Sequence, residues 1–145
     1  MFVRNISYLY FMNNEKSNSG QFIEPTKAEL EILQVLWQNG PSTVRLVNEK
    51  LNQQKREVNY TSTLKLMQIM VEKGILKRDQ SNMKHVYEPI VEEKKAKGYL
   101  LDRFLESMYQ GSASNLVLQL LGNKKTSKKE LETIKEMLNN LNKNN

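Results

Sequence analysis

Apolar positions recur every three or four residues from Leu30 to Trp37, from Val44 to Leu51 and from Leu64 to Met70, and turn chemistry closes each run. The first run predicts a helix that starts at Thr26, with Glu29 three residues on completing a capping box. Leu30, Leu33 and Trp37, flanked by Ile32 and Leu36, give it one broad apolar face. Asn39-Gly40-Pro41 ends it, because glycine suits a left-handed cap and proline cannot continue. Ser42 or Thr43 caps a second helix with Val44, Val47 and Leu51 as its buried stripe, and Asn52 to Asn59 reads as a polar loop carrying Lys55 and Arg56. A third helix spans Tyr60 to Lys73 and stops at Gly74, with Leu66, Met67, Met70 and Thr63 turned inward. The pattern then changes to short strands, Ile75 to Arg78 and Lys84 to Tyr87, joined through the polar tip Asp79-Gln80-Ser81-Asn82.

The second half carries a different pattern. Glu92 to Gln110 predicts a long helix with Leu100, Leu101, Phe104, Leu105 and Met108 spread around much of its circumference, ended by Gly111. Ser112 or Ser114 caps a short apolar helix through Leu116 and Leu121, closed by Gly122. Ser127 and Glu130 form a second capping box before a final helix. Its Leu131, Ile134, Leu138 and Leu141 make a coiled-coil-like seam. Such apolar helices are hard to bury within one subunit of roughly 50 residues. They either pack back onto the first half or interlock with a second copy. We adopt the homodimer, with Leu101, Phe104, Leu105, Met108, Leu116, Leu120, Leu131, Ile134, Leu138 and Leu141 as its expected contacts. The expected organisation is a disordered or misassigned N-terminal extension (1–24, with Met12 a candidate start), a winged helix domain (25–90) and a helical dimerisation domain (91–145). The fold class is mostly α with a small β-hairpin wing. No apolar run reaches the ~18 residues of a membrane span, so no membrane insertion is expected.

Composition narrows the chemistry. The net charge is +6, from 22 basic and 16 acidic residues, which suits a polyanionic partner without requiring one. There is no cysteine and a single histidine, His85, so neither a thiolate metal site nor a cysteine nucleophile exists, and no cofactor is expected. Adjacent carboxylates such as Glu92-Glu93 sit at a solvated helix end, and no convergent acid–base set marks an enzyme.

The order helix, turn, helix, basic hairpin points to DNA. Thr61, Ser62, Lys65 and Gln68 lie opposite the apolar side of the third helix. That face is either plainly solvated or a groove-reading face. The short helix before it and the basic hairpin after it favour the groove. Lysine can read guanine, glutamine can read adenine, and Tyr60, Thr43, Arg56, Lys77 and Lys84 are the expected backbone contacts. The wing lysines could instead only keep a two-stranded edge soluble. The rival function is a winged-helix module that docks on protein, which would want an acidic or apolar face. This one is neutral to basic.

At this point the chain resembles the BlaI/MecI/CopY, or penicillinase repressor, family of bacterial regulators. The resemblance is carried by Thr26 through Trp37, by Tyr60-Thr61-Ser62-Thr63-Leu64-Lys65-Leu66-Met67, by Lys73-Gly74-Ile75-Leu76-Lys77-Arg78 and by Val86-Tyr87-Glu88-Pro89. Phe104 to Gly111 and Asn115 to Leu120 add to it. It implies a dimeric winged-helix repressor on a palindromic double-stranded DNA operator. In resistance-linked members a membrane sensor metallopeptidase signals, and the repressor is cut at an Asn-Phe bond in its dimerisation half. The matching position here reads Gln119-Leu120, so the bond specificity does not carry over. The clustered cysteines of the copper-responsive branch are absent.

Overall fold

A computed structural model describes residues 22–81, 83–123 and 125–143. Among these it contains six helices and one two-stranded sheet: α1 (Lys27–Asn39), α2 (Val44–Gln54), α3 (Tyr60–Lys73), β1 (Leu76–Asp79), β2 (Val86–Pro89), α4 (Glu93–Tyr109), α5 (Ala113–Gly122) and α6 (Lys128–Lys143). The chain divides into two compact units, one reaching Leu100 and the other beginning at Leu101. Most of the expected N-terminal extension, up to residue 21, lies outside the described residues.

In the first unit, α1 to α3 and the hairpin close over one core. Ile32, Leu33, Val35, Leu36, Val44, Val47, Leu51, Met67, Met70, Ile75, Leu76 and Tyr87 are buried together. Each helix begins where a side chain accepts from its exposed amides. The Thr26 hydroxyl accepts from the Glu29 amide at 3.2 Å, and the Glu29 carboxylate accepts from the Thr26 amide at 2.9 Å. Thr43, not Ser42, caps α2, accepting from the Leu46 amide at 3.3 Å. Ser42 instead pairs with Tyr87 in an isolated antiparallel bridge, at 3.0 and 2.9 Å, which ties the wing to the turn between α1 and α2.

Three local expectations are corrected. Gly40 has positive φ (77°), but its ψ of −172° is extended, so the cap is not the left-handed one. Gly74, at φ 83° and ψ 20°, is. Helix α2 continues through Asn52 to Gln54, because side-chain bonds from its last turn hold it there. The strands run later than the pattern suggested: Leu76 pairs with Pro89 and Asp79 with Val86. The Ser81 amide donates to the Asp79 carboxylate at 2.8 Å, starting the turn there and leaving Lys84 and His85 in the tip. That bonding to Ser81 holds the Asp79 carboxyl below its ordinary range.

The start of α4 belongs to the first unit. Ala96 and Tyr99 are buried, Phe22 packs on the Tyr99 ring with centroids 4.0 Å apart, and the Trp37 indole donates to the Val91 carbonyl at 3.2 Å.

The second unit has helices but almost no interior. Ser112, of the two candidates, caps α5, and Ser127 with Glu130 forms the second capping box as expected. Neither α5 nor α6 has a buried residue. Leu101, Phe104, Met108, Val117, Leu118, Leu120, Leu121, Met137, Leu138 and Leu141 are all exposed, while Leu105, Leu116, Leu131 and Ile134 are half-buried. Burial pushes the Asp102 carboxyl up.

Candidate nucleic-acid interface

Helix α3 is built to present one face. Thr63, Met67 and Met70 are buried and Leu64, Leu66 and Val71 pack partly against the core. Rotation by the helical period then turns Thr61, Ser62, Lys65 and Gln68 outward, and all four are exposed. Thr61, Lys65 and Gln68 lie four and three residues apart, so they form one stripe, with Ser62 beside it. Tyr60, half-exposed, stands at its N-terminal end. Asn59, the last residue of the polar loop in the sequence pattern, caps the helix: its side chain accepts from the Ser62 amide at 2.8 Å. This end also carries the positive pole of the helix, which favours nearby phosphate.

The other end of α3 is fixed to α1. Lys73 Nζ reaches both oxygens of the buried Glu29 carboxylate, at 3.0 and 3.1 Å. Burial raises the Glu29 pKa, but the hydrogen bonds from Thr26 and the Lys73 ammonium outweigh it and leave the carboxyl below the usual glutamate range.

The expected backbone contacts differ in freedom. Lys84 is exposed at the wing tip and has no ion-pair partner among the described residues. Lys77 pairs with Glu88 at 2.9 Å, but both side chains are well exposed, so water screens the pair and a phosphate can replace the carboxylate cheaply. Arg56 is different. It stands 3.4 Å from Glu31, whose Oε2 is buried and accepts no hydrogen bond, so moving Arg56 to a phosphate strips that half-buried carboxylate of its nearby cation. The Thr43 hydroxyl accepts within α2 and keeps its proton to donate. Arg45, exposed on the first turn of α2, drew no attention in the sequence because it interrupts no pattern.

The candidate cleavage point, Gln119 and Leu120, lies inside α5 on an exposed surface. The Leu120 carbonyl accepts from the Thr126 hydroxyl at 2.8 Å and the Asn123 amide at 3.3 Å. No helix of the described residues is long and apolar enough to cross a membrane.

A three-helix head whose third helix is buried on one side and polar on the other, followed by a short hairpin braced against the first turn, defines the winged-helix DNA-binding regulators. The chain belongs to the penicillinase repressor family, whose model matches residues 25–140, and is a transcriptional repressor rather than an enzyme. It is 27% identical over 122 residues to the penicillinase repressor of Staphylococcus aureus, covering 83% of this chain and 95% of that one. It is 25% identical over 116 residues to the methicillin resistance regulatory protein MecI of Mammaliicoccus sciuri, covering 80% and 94%. A MarR family protein from Bacillus stearothermophilus is similar at a TM-score of 0.45 with 17% identity, covering 99% of this chain and 89% of that one.

Proposed function

We propose that this repressor acts in the cytoplasm as a homodimer that sits on a palindromic operator and blocks transcription sterically. The observation that carries the proposal is the exposed stripe Thr61, Lys65 and Gln68, with Ser62, on a helix anchored on its opposite side. These residues read base edges, while Tyr60, Thr43, Lys77 and Lys84 hold phosphates, with Arg45 added to them and Arg56 the costliest to recruit. The large share of exposed apolar side chains from Leu101 onward supports a second copy as their cover, because monomers rarely leave such surface in water. We assign 25–90 to the reading head and 91–145 to dimerisation, the first turns of the latter being docked on the head.

Release follows from loss of the dimer through a cut within Asn115 to Leu121, with Gln119-Leu120 the candidate bond, by a membrane sensor metallopeptidase. The relatives' names make a response to β-lactams the first regulated trait to test. The test of operator binding is nuclease footprinting of the DNA upstream of the chain's own gene. A protected palindrome, lost on dilution below the dimer dissociation constant, is the expected result. Uniform weak binding without a footprint would instead favour a module that docks on protein.

A further inference from the structure

The connection from α2 to α3 is held by two asparagine side chains that the reading face itself does not use. The Val58 amide donates to Asn52 Oδ1 at 2.9 Å, and the Val58 carbonyl accepts from Asn52 Nδ2 at 3.0 Å, so one side-chain amide grips both polar groups of one residue. Asn48 Nδ2 donates to the same carbonyl at 2.9 Å and to the Thr63 hydroxyl at 2.9 Å. Asn52 is in turn fixed by its bond to the Asn48 carbonyl at 2.8 Å. The Thr63 hydroxyl lies 3.4 Å from the Asn59 carbonyl, and Asn59 caps α3. Val58 also packs its side chain partly against the core. A continuous set of bonds therefore runs from the last two turns of α2 into the first turn of α3, where Tyr60, Thr61 and Ser62 sit.

We propose that Asn48 and Asn52 are positioning residues for sequence recognition: together they set where the N-terminal turn of α3 stands on the head. The proposal rests on the DNA-reading function proposed above. Direct base readout depends on side chains held in register with the base edges, whereas phosphate attraction tolerates a loose fit. The apolar anchors Met67 and Met70 lie further along α3 and fix its middle and end. Within the first turn only Thr63 is buried, and its hydroxyl is bonded by Asn48, while the Asn48–Asn52 clamp seats the backbone of Val58 just before the helix. Asn52 is exposed, so replacing it opens the Val58 groups to water without leaving a cavity in the core.

The experiment uses the full chain with Asn48→Ala, Asn52→Ala and both together. The probes are a duplex enriched by the unmodified protein from a randomised pool and a scrambled duplex of the same composition. The expected result is an affinity loss of about tenfold for the enriched duplex, within the range of one direct base contact. Affinity for the scrambled duplex stays unchanged and the thermal midpoint moves little. Equal losses on both duplexes, or no loss on either, would overturn the positioning role. A second readout needs no DNA: amide exchange at Ser62 and Thr63 should quicken while that at Leu36 in α1 does not. Unchanged protection at Ser62 and Thr63, or equal quickening at Leu36, would also overturn it. An unmodified protein that enriches no duplex would refute the DNA-reading function, and the exchange measurement would still decide the clamp.

Discussion

The carboxylate of Glu29 and the ammonium of Lys73 meet at 3.0 Å across 44 residues of sequence, joining the first turn of α1 to the last turn of α3. Glu29 is fully buried and also closes the capping box with Thr26. One side chain therefore does two jobs, capping one helix and holding the end of another.

Glu29→Ala should destabilise the head by about 1–3 kcal/mol, since it removes the capping-box acceptor and empties a fully buried position, while Lys73 turns to water. Glu29→Gln keeps an acceptor for the Thr26 amide and should cost only about 1 kcal/mol, because Lys73 is 42% exposed and water screens the pair. The native carboxyl titrates below its ordinary value, so its stabilisation is complete above the unfolded-state pKa of about 4.3 and is lost as pH falls through the native value. Urea midpoints of the wild type and Glu29→Gln, compared from neutral to acid pH, should converge at the acid end. A gap that persists or widens on acidification would contradict this sign.

Lys65→Ala should weaken operator binding by about 1–3 kcal/mol with the fold intact. Lys65 is exposed and takes no part in an ion pair among the described residues, so its loss leaves the head undisturbed. Anisotropy titrations with matched and scrambled duplexes measure it. Unchanged operator affinity would move the reading face elsewhere.

Leu138→Asp should convert dimer to monomer. Leu138 is 53% exposed within its own chain, so the carboxylate costs little there and much where a partner covers it. Light scattering gives the mass. A variant that remains dimeric would remove the last helix from the interface.

Cleavage at Gln119-Leu120 should require the last turn of α5 to open, because the Leu120 carbonyl is bonded from Thr126 and Asn123. Thr126→Val should therefore speed the cut severalfold in induced cells, with mass spectrometry identifying the fragments. Intact repressor in induced cells with its target genes expressed would exclude proteolysis as the release step.

The helices were legible because their ends are written locally. Thr26 with Glu29, Ser127 with Glu130, and Gly74 are short-range signals that the folded chain uses as they read. The stripe on α3 was legible for the same reason, since a 3.6-residue period places Thr61, Lys65 and Gln68 opposite Met67 and Met70. What escaped depends on partners far apart or on single residues. Asn48 and Asn52 read as ordinary polar helix and loop positions, and only the fold brings Val58 and Thr63 to them. The Ser42–Tyr87 bridge has no period to detect. The strand register moved because the Asp79 side chain begins the turn, a bond that alternation does not encode.

Trp37, the sole tryptophan, has its indole hydrogen-bonded to the Val91 carbonyl where the head meets the start of α4. The molecule thus carries its one indole in the unit that reaches Leu100 and none in the other. Selective indole excitation follows the head and its junction with α4, while far-ultraviolet dichroism sums helices from both units. Whether the two melt as one cooperative body or in sequence can be read from unlabelled protein, by asking if the two signals change at the same temperature.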